Sequence, residues 1–244
     1  MPTKNKAEAQ RQEREDARAR RRRAPALVRA APRREENPVL LIVCQGEVTE
    51  VEYFKHFELA TATVKAVGRA FDPEKLVQEA IDLRDAVSRS RYPYEQVWCV
   101  FDKDDSTPQQ VHAAMQRAAA GGIEIAFSNQ CFEFWLLLHF DDHQGGGMRR
   151  EVCGPRVEQL IKAASPRISY NSQKGKHISR ELFELLETDD PSAHPGRLPR
   201  RKVAIGRARA IDEYWQAQGT EPAYRESTTW VYKLVLILQK HLPA

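Results

Sequence analysis

The 244-residue sequence lacks several features that would place the protein in a well-defined class. No apolar run approaches the roughly 18 to 20 consecutive residues that a membrane helix needs. The N-terminus is charged and has no apolar core, so we expect no secretory signal and a cytoplasmic protein. The four cysteines form no CxxC pair, which argues against a zinc site or a disulfide framework. No Walker loop and no Ser-His-Asp or Cys-His pattern is found either.

The positive charge of the chain is concentrated at its N-terminus. The formal net charge is +4, but residues 1–37 contain twelve Lys or Arg and six acidic residues, so they carry +6 and the rest carries −2. This segment has almost no large apolar residues, and we expect it to be disordered on its own. Two interpretations are open: a basic arm that binds nucleic-acid phosphates, and a solvated leader without a partner.

Four short apolar runs in the following part of the chain are typical of buried strands. They lie at residues 38–44, 62–67, 96–101 and 123–127. Stretches with helical spacing alternate with them, and Thr49 and Glu52 have the spacing of a capping box at the start of the first helix. The alternation predicts an α/β fold with a mostly parallel four-stranded sheet and covering helices.

The C-terminal part of the chain is predicted to be helical. Helical spacing occurs in four stretches, at residues 155–164, 180–186, 202–216 and 228–239. Between residues 165 and 201 the chain is polar and proline-rich, which suggests a mobile or inserted surface region. We therefore expect three parts: the basic arm at 1–37, a core at 38–145, and a helical extension at 146–244 that packs on the core.

Carboxylates follow three of the predicted strands. They are Glu47 and Glu50 after the first, Asp102, Asp104 and Asp105 after the third, and Glu133 after the fourth. Because the carboxyl ends of parallel strands meet at one edge, these side chains should converge, and their repulsion favours a bound cation. Oxygen ligands suit Mg²⁺ or Mn²⁺. In an extended segment Asp102 and Asp104 would point to the same side and share the metal, whereas the alternative is an ordinary acidic turn.

A basic loop within the polar region supplies a further candidate. Lys174 and Lys176 stand in the segment YNSQKGK at residues 170–176. They are candidates for contact with a phosphate group, and Lys174 is included among the candidate catalytic residues. A solvated basic loop without such a role is the alternative interpretation.

Four sequence blocks carry a resemblance to a known family. They are LLIVCQGEVTEVEYF (residues 40–54), VWCVFDKDDS (97–106), SNQCFEFWLLLHF (128–140) and ESTTWVYKLV (226–235). On these blocks the chain resembles the RloB-like family of bacterial defence proteins, whose core is similar to the Toprim catalytic domain. The resemblance covers residues 38–242 in order. The third block is the most distinctive, since a DxD pair alone occurs in many unrelated folds.

The resemblance implies a Toprim-like catalytic core at residues 38–145 and a metal-dependent nuclease, as in the related OLD-type nucleases. It implies that Asp102 and Asp104 hold Mg²⁺, and Glu50 and Glu133 match glutamates of the family pattern. Our hypothesis is that Asp102, Asp104 and Glu50 hold Mg²⁺ or Mn²⁺, with support from Glu47 and Glu133. DNA, tRNA or another RNA would be the substrate, since all present the same phosphodiester. Family members usually act with an ATPase of the AAA or ABC type in anti-phage, abortive-infection systems, and a homo-oligomer is compatible with the sequence.

One position departs from the family pattern. The family and Toprim domains generally place a glutamate directly before the glycine of the first block, where this chain has Gln45. That glutamate is thought to act as a general base or metal ligand, and an amide is neutral and not basic. Three outcomes are open: Glu47 or Glu50 takes over the role, catalysis is weakened, or the protein is a catalytically silent subunit that binds nucleic acid or an ATPase.

Overall fold

The computed structural model describes residues 40–59, 62–66, 72–87, 93–143, 146–188 and 198–242, together with Gln12. The predicted basic arm at 1–37 lies outside the described residues apart from Gln12. From residue 37 onward the chain forms one compact unit. The predicted boundary at residue 145, between core and helical extension, stays a prediction.

The described residues contain five strands and eight α-helices. The strands are β1 (Leu40–Cys44), β2 (Ala62–Ala66), β3 (Gln96–Asp102), β4 (Glu124–Asn129) and β5 (Thr228–Thr229). The helices are α1 (Thr49–Lys55), α2 (Pro73–Val87), α3 (Pro108–Gly121), α4 (Glu133–Leu138), α5 (Arg150–Ala164), α6 (Arg180–Glu187), α7 (Arg200–Ala217) and α8 (Val231–Gln239). A short 3₁₀ turn at Pro222–Tyr224 precedes β5.

The strands form one sheet in the order β2-β1-β3-β4-β5. The first four are parallel, and β5 pairs antiparallel with β4. The predicted α/β fold with a mostly parallel sheet and a helical C-terminal part is therefore confirmed, with five strands instead of four. The arrangement is consistent with a Toprim-like fold.

The fifth strand replaces the beginning of a predicted helix. Thr228 and Thr229 pair with Asn129 and Ser128, and α8 begins only at Val231. Both threonines are β-branched, which favours an extended backbone beside an existing strand. The hydroxyl groups of Ser128 and Thr229 also lie 3.0 Å apart in a buried hydrogen bond.

Two of the covering helices begin at side-chain caps. The Asp72 side chain accepts a hydrogen bond from the backbone N–H of Lys75 at 2.9 Å, before the proline that opens α2. At α3, Thr107 and Gln110 form a reciprocal capping box. The same helix ends at Gly122, whose φ of 65° is in the left-handed region that glycine adopts without strain.

The sheet is buried on both faces, which explains the continuous apolar runs of its strands. Every residue of β1 is fully buried. One face packs on α2 and α3, and the other packs on α1, α4 and the C-terminal helices. Cys44 and Cys99 lie inside this core, and burial raises the pKa of both thiols, that of Cys99 to about 12.

Candidate active site

Three neighbouring strand ends form a cavity at the carboxyl edge of the sheet. Because β1, β3 and β4 are adjacent and parallel, their C-terminal loops meet there. The cavity has a volume of about 400 Å³. We call it the acid cavity, and its lining includes Gln45, Gly46, Glu47, Glu50, Asp102, Asp104, Glu133, Arg150 and Lys176. The carboxylates that follow these strands therefore lie together in one cavity, as predicted.

Asp102, the last residue of β3, is 7% exposed in this cavity. Its Oδ2 accepts a hydrogen bond from Nη2 of Arg150 at 3.4 Å, whereas its Oδ1 is buried and has no hydrogen-bond partner among the described residues. Burial, followed by the nearby charges of Glu50 and Glu133, raises the pKa of Asp102 well above its ordinary value, and Arg150 opposes the shift. The carboxyl group is therefore buried among like charges and incompletely neutralised.

Asp104 reaches the same cavity by a backbone turn instead of an extended segment. Its φ is 43°, in the left-handed region that Asp tolerates better than most residues. The backbone N–H of Asp104 bonds to the carbonyl of Gln130 at 3.1 Å, which fixes the turn against the end of β4. Its Oδ1 contacts Nη2 of Arg150. One guanidinium therefore bridges the two carboxylates of the DxD pair.

Glu50 is held at the cavity by the close approach of the preceding loop. It is the second residue of α1 and is 7% exposed. Its carboxylate lies directly against Cα of Gly46, where a methyl group would overlap it. A side chain at position 46 would therefore displace the Glu50 carboxylate from its present place.

Glu133, the first residue of α4, closes the other side of the cavity and is 2% exposed. Its Oε1 accepts hydrogen bonds from Nζ of Lys176 at 2.5 Å and from the hydroxyl of Tyr170 at 3.3 Å. Burial and the charge of Glu133 raise the pKa of the Tyr170 hydroxyl, so Tyr170 stays a neutral donor. Both donors come from the segment 170–178, which we call the strap.

The strap is bound to α1 by side chains that the sequence assigned to a helix cap. The Thr49 hydroxyl donates to the carbonyl of Lys176 at 3.0 Å, and Oε2 of Glu52 accepts from the backbone N–H of Ile178 at 2.7 Å. Oε1 of Glu52 also lies 2.8 Å from Nδ1 of His177. The residue before the helix, Val48, makes no side-chain cap, so the predicted capping box was wrong although the helix begins at Thr49. These bonds hold Lys176 over Glu133.

A match to a known protein family covers the strand ends, the strap and α5. The model of the family described as RloB-like protein matches residues 40–238. The chain belongs to the RloB-like protein family. No curated protein and no solved structure gave a significant match. The match includes the three carboxylate-bearing strand ends, the strap and α5, so in this RloB-like protein the whole acid cavity lies within the family's own sequence.

The predicted site residues of this RloB-like protein differ in whether they line the acid cavity. Glu50, Asp102, Asp104 and Glu133 line the acid cavity, and Glu47 lines it with an exposed side chain. Lys174 does not line it; the residue is exposed, and its backbone N–H bonds to Oδ1 of Asn171 at 2.6 Å. The lysine that faces the carboxylates is Lys176, two residues further along the strap.

Arg150 is a cavity residue that the sequence pattern does not indicate. It begins α5, where its backbone N–H bonds to Oε1 of Gln130 at 2.9 Å. The predicted helix began at Pro155, five residues later, because a proline is typical of a first helical turn. The contact with Asp102 spans 48 residues of sequence and leaves no local signal that could have revealed it.

The cavity residues fit a hard divalent cation by their chemistry. They are carboxylates, and one of them, Asp102, has a buried oxygen without a hydrogen-bond partner among the described residues. Within the described ranges, no three His, Cys, Asp or Glu side chains stand close enough to hold a metal ion as they are. Arg150 and Lys176 contact the carboxylates instead.

The described residues form the eight helices α1 to α8. None of them has the length and the apolar character that a membrane crossing requires.

Proposed function

We propose that this RloB-like protein is a nuclease that hydrolyses phosphodiester bonds of DNA or RNA with the help of Mg²⁺ or Mn²⁺. The observation that carries the proposal is the acid cavity, where Glu50, Asp102, Asp104 and Glu133 come together from three strand ends. One oxygen of Asp102 is buried there without a hydrogen-bond partner among the described residues. Burial, followed by the charges of Glu50 and Glu133, raises the pKa of Asp102. Like charges held so close together are costly unless a cation neutralises them. The resemblance to RloB-like defence proteins implies the same chemistry, and membership of the RloB-like protein family is consistent with it.

In this proposal Asp102, Asp104 and Glu50 hold the metal. A bound Mg²⁺ supplies a water of lowered pKa and stabilises the departing oxygen. Lys176 lies beside the carboxylates on the strap, and its ammonium group is suited to a phosphate oxygen. Glu133 holds Lys176 in place by accepting its hydrogen bond. Glu47, which is exposed at the cavity, is positioned to interact with substrate or solvent cations.

The remaining partners belong to the same proposal. The basic segment 1–37 would recruit the nucleic acid, whether DNA, tRNA or another RNA, by releasing counterions from its phosphates. An ATPase of the AAA or ABC type would act with the protein in anti-phage defence.

Replacement of Asp102 by asparagine tests the proposal. Asp102→Asn keeps the size of the side chain but removes the charge, and we expect Mg²⁺-dependent cleavage to fall by at least about a hundredfold. Asp105→Asn is the matched control, because Asp105 is exposed in the same loop and does not line the cavity. Cleavage of labelled DNA and RNA in the presence of Mg²⁺ or Mn²⁺ is the measurement, and a fully active Asp102→Asn protein would contradict the proposal.

A catalytically silent binding subunit is the second candidate, and Gln45 favours it. This residue lines the cavity, and its Oε1 accepts a hydrogen bond from the backbone N–H of Asp102 at 3.2 Å. A neutral amide therefore stands where the family generally has a carboxylate. Wild type and Gln45→Glu should be assayed side by side for cleavage and for nucleic-acid binding. A wild type that binds but does not cleave, with either metal, would favour the binding function.

A further inference from the structure

Arg150 contacts both aspartates of the DxD pair from outside the sheet. Its Nη2 lies 3.4 Å from Oδ2 of Asp102 and also contacts Oδ1 of Asp104. The residue is fixed at its base, because its backbone N–H bonds to Gln130 and it opens a helix whose buried Cys153 and Val157 pack in the core. The Arg150 side chain as a whole is 39% exposed, and it lines the cavity. The base is therefore rigid, and part of the side chain is exposed to solvent.

The guanidinium contributes the positive charge that this part of the cavity otherwise lacks. Asp102 and Asp104 are two carboxylates in one small cavity with Glu50 and Glu133, and Arg150 is the cation in contact with both of them. A divalent ion that bridged Asp102 and Asp104 would need the same carboxylate oxygens. The guanidinium and the ion repel each other, so the two cannot occupy that position together.

A guanidinium displaced from the two aspartates would remain at the mouth of the cavity, because its helix does not move with it. Its five N–H donors form a planar fork that matches the oxygens of a phosphate group. The Nε of Arg150 is buried and makes no hydrogen bond among the described residues, so this fork is only partly used. A phosphate group that approached the aspartates from solvent would meet these donors first.

We propose that Arg150 is an internal counter-cation that exchanges partners, binding Asp102 and Asp104 without metal and a phosphate group of the nucleic acid when a divalent ion takes its place. The inference rests on the proposed metal-dependent function and adds a substrate-binding residue to it. It also makes metal binding and nucleic-acid binding cooperative, since a phosphate that holds the guanidinium away from the aspartates removes a competitor of the metal.

Metal affinity tests the first half of this exchange without any assay of cleavage. Mn²⁺ binding should be measured by calorimetry or electron paramagnetic resonance on wild type, Arg150→Ala and Arg150→Lys. We expect Arg150→Ala to bind Mn²⁺ roughly tenfold more tightly than wild type, because one competing like charge is gone from a half-exposed site. Arg150→Lys keeps the charge and should stay closer to wild type. Arg149→Ala is the control, since the exposed Arg149 is adjacent in sequence but does not line the acid cavity.

Binding of a cleavage-resistant phosphorothioate oligonucleotide tests the second half. In the presence of saturating Mn²⁺, Arg150→Ala should bind this strand about tenfold more weakly than wild type, and Arg150→Lys should recover part of the loss. Unchanged oligonucleotide binding by Arg150→Ala would overturn the assignment of a phosphate ligand. Circular dichroism of each variant checks that the loss does not come from unfolding.

The results separate this inference from the proposed function on which it rests. If wild type binds Mn²⁺ no better than Asp102→Asn does, the proposed metal site fails and the exchange fails with it. If Mn²⁺ binding depends on Asp102 but is unchanged in Arg150→Ala, or rises equally in Arg149→Ala, the metal site stands and the exchange is overturned.

Discussion

Asp102 at the sheet edge and Asp212 in α7 are both buried, at 7% and 1% exposed, but their pKa values are shifted in opposite directions. Asp212 accepts four hydrogen bonds, from Arg225, Trp230, Tyr232 and Lys233, at 2.6 to 3.0 Å. Burial acts to raise the pKa of Asp212, but Lys233, Tyr232 and Trp230 outweigh it, and the pKa is lowered. At Asp102 burial and neighbouring carboxylates act together, and the pKa is raised.

The difference shows that burial alone does not determine the state of a carboxylate. Asp212 joins α7 to the β5–α8 region, and its donors supply more favourable interaction than its desolvation costs. One oxygen of Asp102 has no hydrogen-bond partner among the described residues, and the charges of Glu50 and Glu133 act on the group. A buried carboxylate with so little neutralisation lowers the stability of the folded protein. Such groups are common at catalytic and ligand-binding sites, where a bound ligand supplies the missing interaction.

Removal of the Asp212 carboxylate should have the largest effect on stability. Asp212→Ala leaves Arg225, which is 5% exposed, without its ionic partner, and we expect a loss of about 3 to 5 kcal/mol in the free energy of unfolding. Glu213→Ala, at an exposed position of the same helix, should change it by less than about 0.5 kcal/mol. Chemical denaturation measures both. Similar losses in the two variants would contradict the structural role of Asp212.

The same aspartate should produce a pH dependence of known sign. Its pKa in the folded protein lies below the ordinary value of 3.8, so its contribution to stability is present above that value and is lost as the pH falls through the lower folded pKa. The difference in unfolding free energy between wild type and Asp212→Asn should be large at neutral pH and small at acidic pH. Chemical denaturation at a series of pH values measures this difference. A difference that increases as the pH falls would contradict the prediction.

Asp102→Asn should show the opposite behaviour from the Asp212 variants when no divalent metal is present. It removes one charge from the neighbourhood of Glu50 and Glu133, and we expect stability to be unchanged or to increase by about 1 kcal/mol. Denaturation in a chelating buffer, beside Asp105→Asn, is the measurement. A loss of stability like that of Asp212→Ala would remove the distinction between the two aspartates.

A change at Gly46 alters the acid cavity without removing any of its charges. The methyl group of Gly46→Ala would overlap the Glu50 carboxylate and push it away, which should weaken Mn²⁺ binding and cost about 1 kcal/mol of stability. Gly206→Ala in α7, where an added methyl group meets nothing, should instead stabilise the protein by about 0.5 to 1 kcal/mol. Calorimetry and denaturation measure the pair. Normal Mn²⁺ binding by Gly46→Ala would show that the position of Glu50 is unimportant.

The sequence predicted those parts of the molecule that depend on local pattern. The apolar runs of β1, β3 and β4 and the rule that parallel strands end at one edge were sufficient to bring Glu50, Asp102, Asp104 and Glu133 together. The cap formed by Thr107 and Gln110 is local in the same way, because its two partners lie within four residues.

The remaining features depend on contacts between distant residues. Arg150 meets Asp102 across 48 positions and Lys176 meets Glu133 across 43, and neither pair leaves a periodic signal. The pair Thr49 and Glu52 was misread because its spacing is that of a cap, whereas the strap, more than 120 residues away, satisfies both side chains. The strand β5 is two residues long, too short for any alternation to be visible.

The position of β5 also affects how the chain folds during synthesis on the ribosome. The strand pairs with Ser128 and Asn129 at the edge of the sheet, but it is made of residues 228–229, about a hundred positions later. While the intervening chain is being translated, the edge of β4 presents unpaired backbone groups of the kind that attract other strands. A product truncated before residue 228 would keep that edge open, because β5 would be missing.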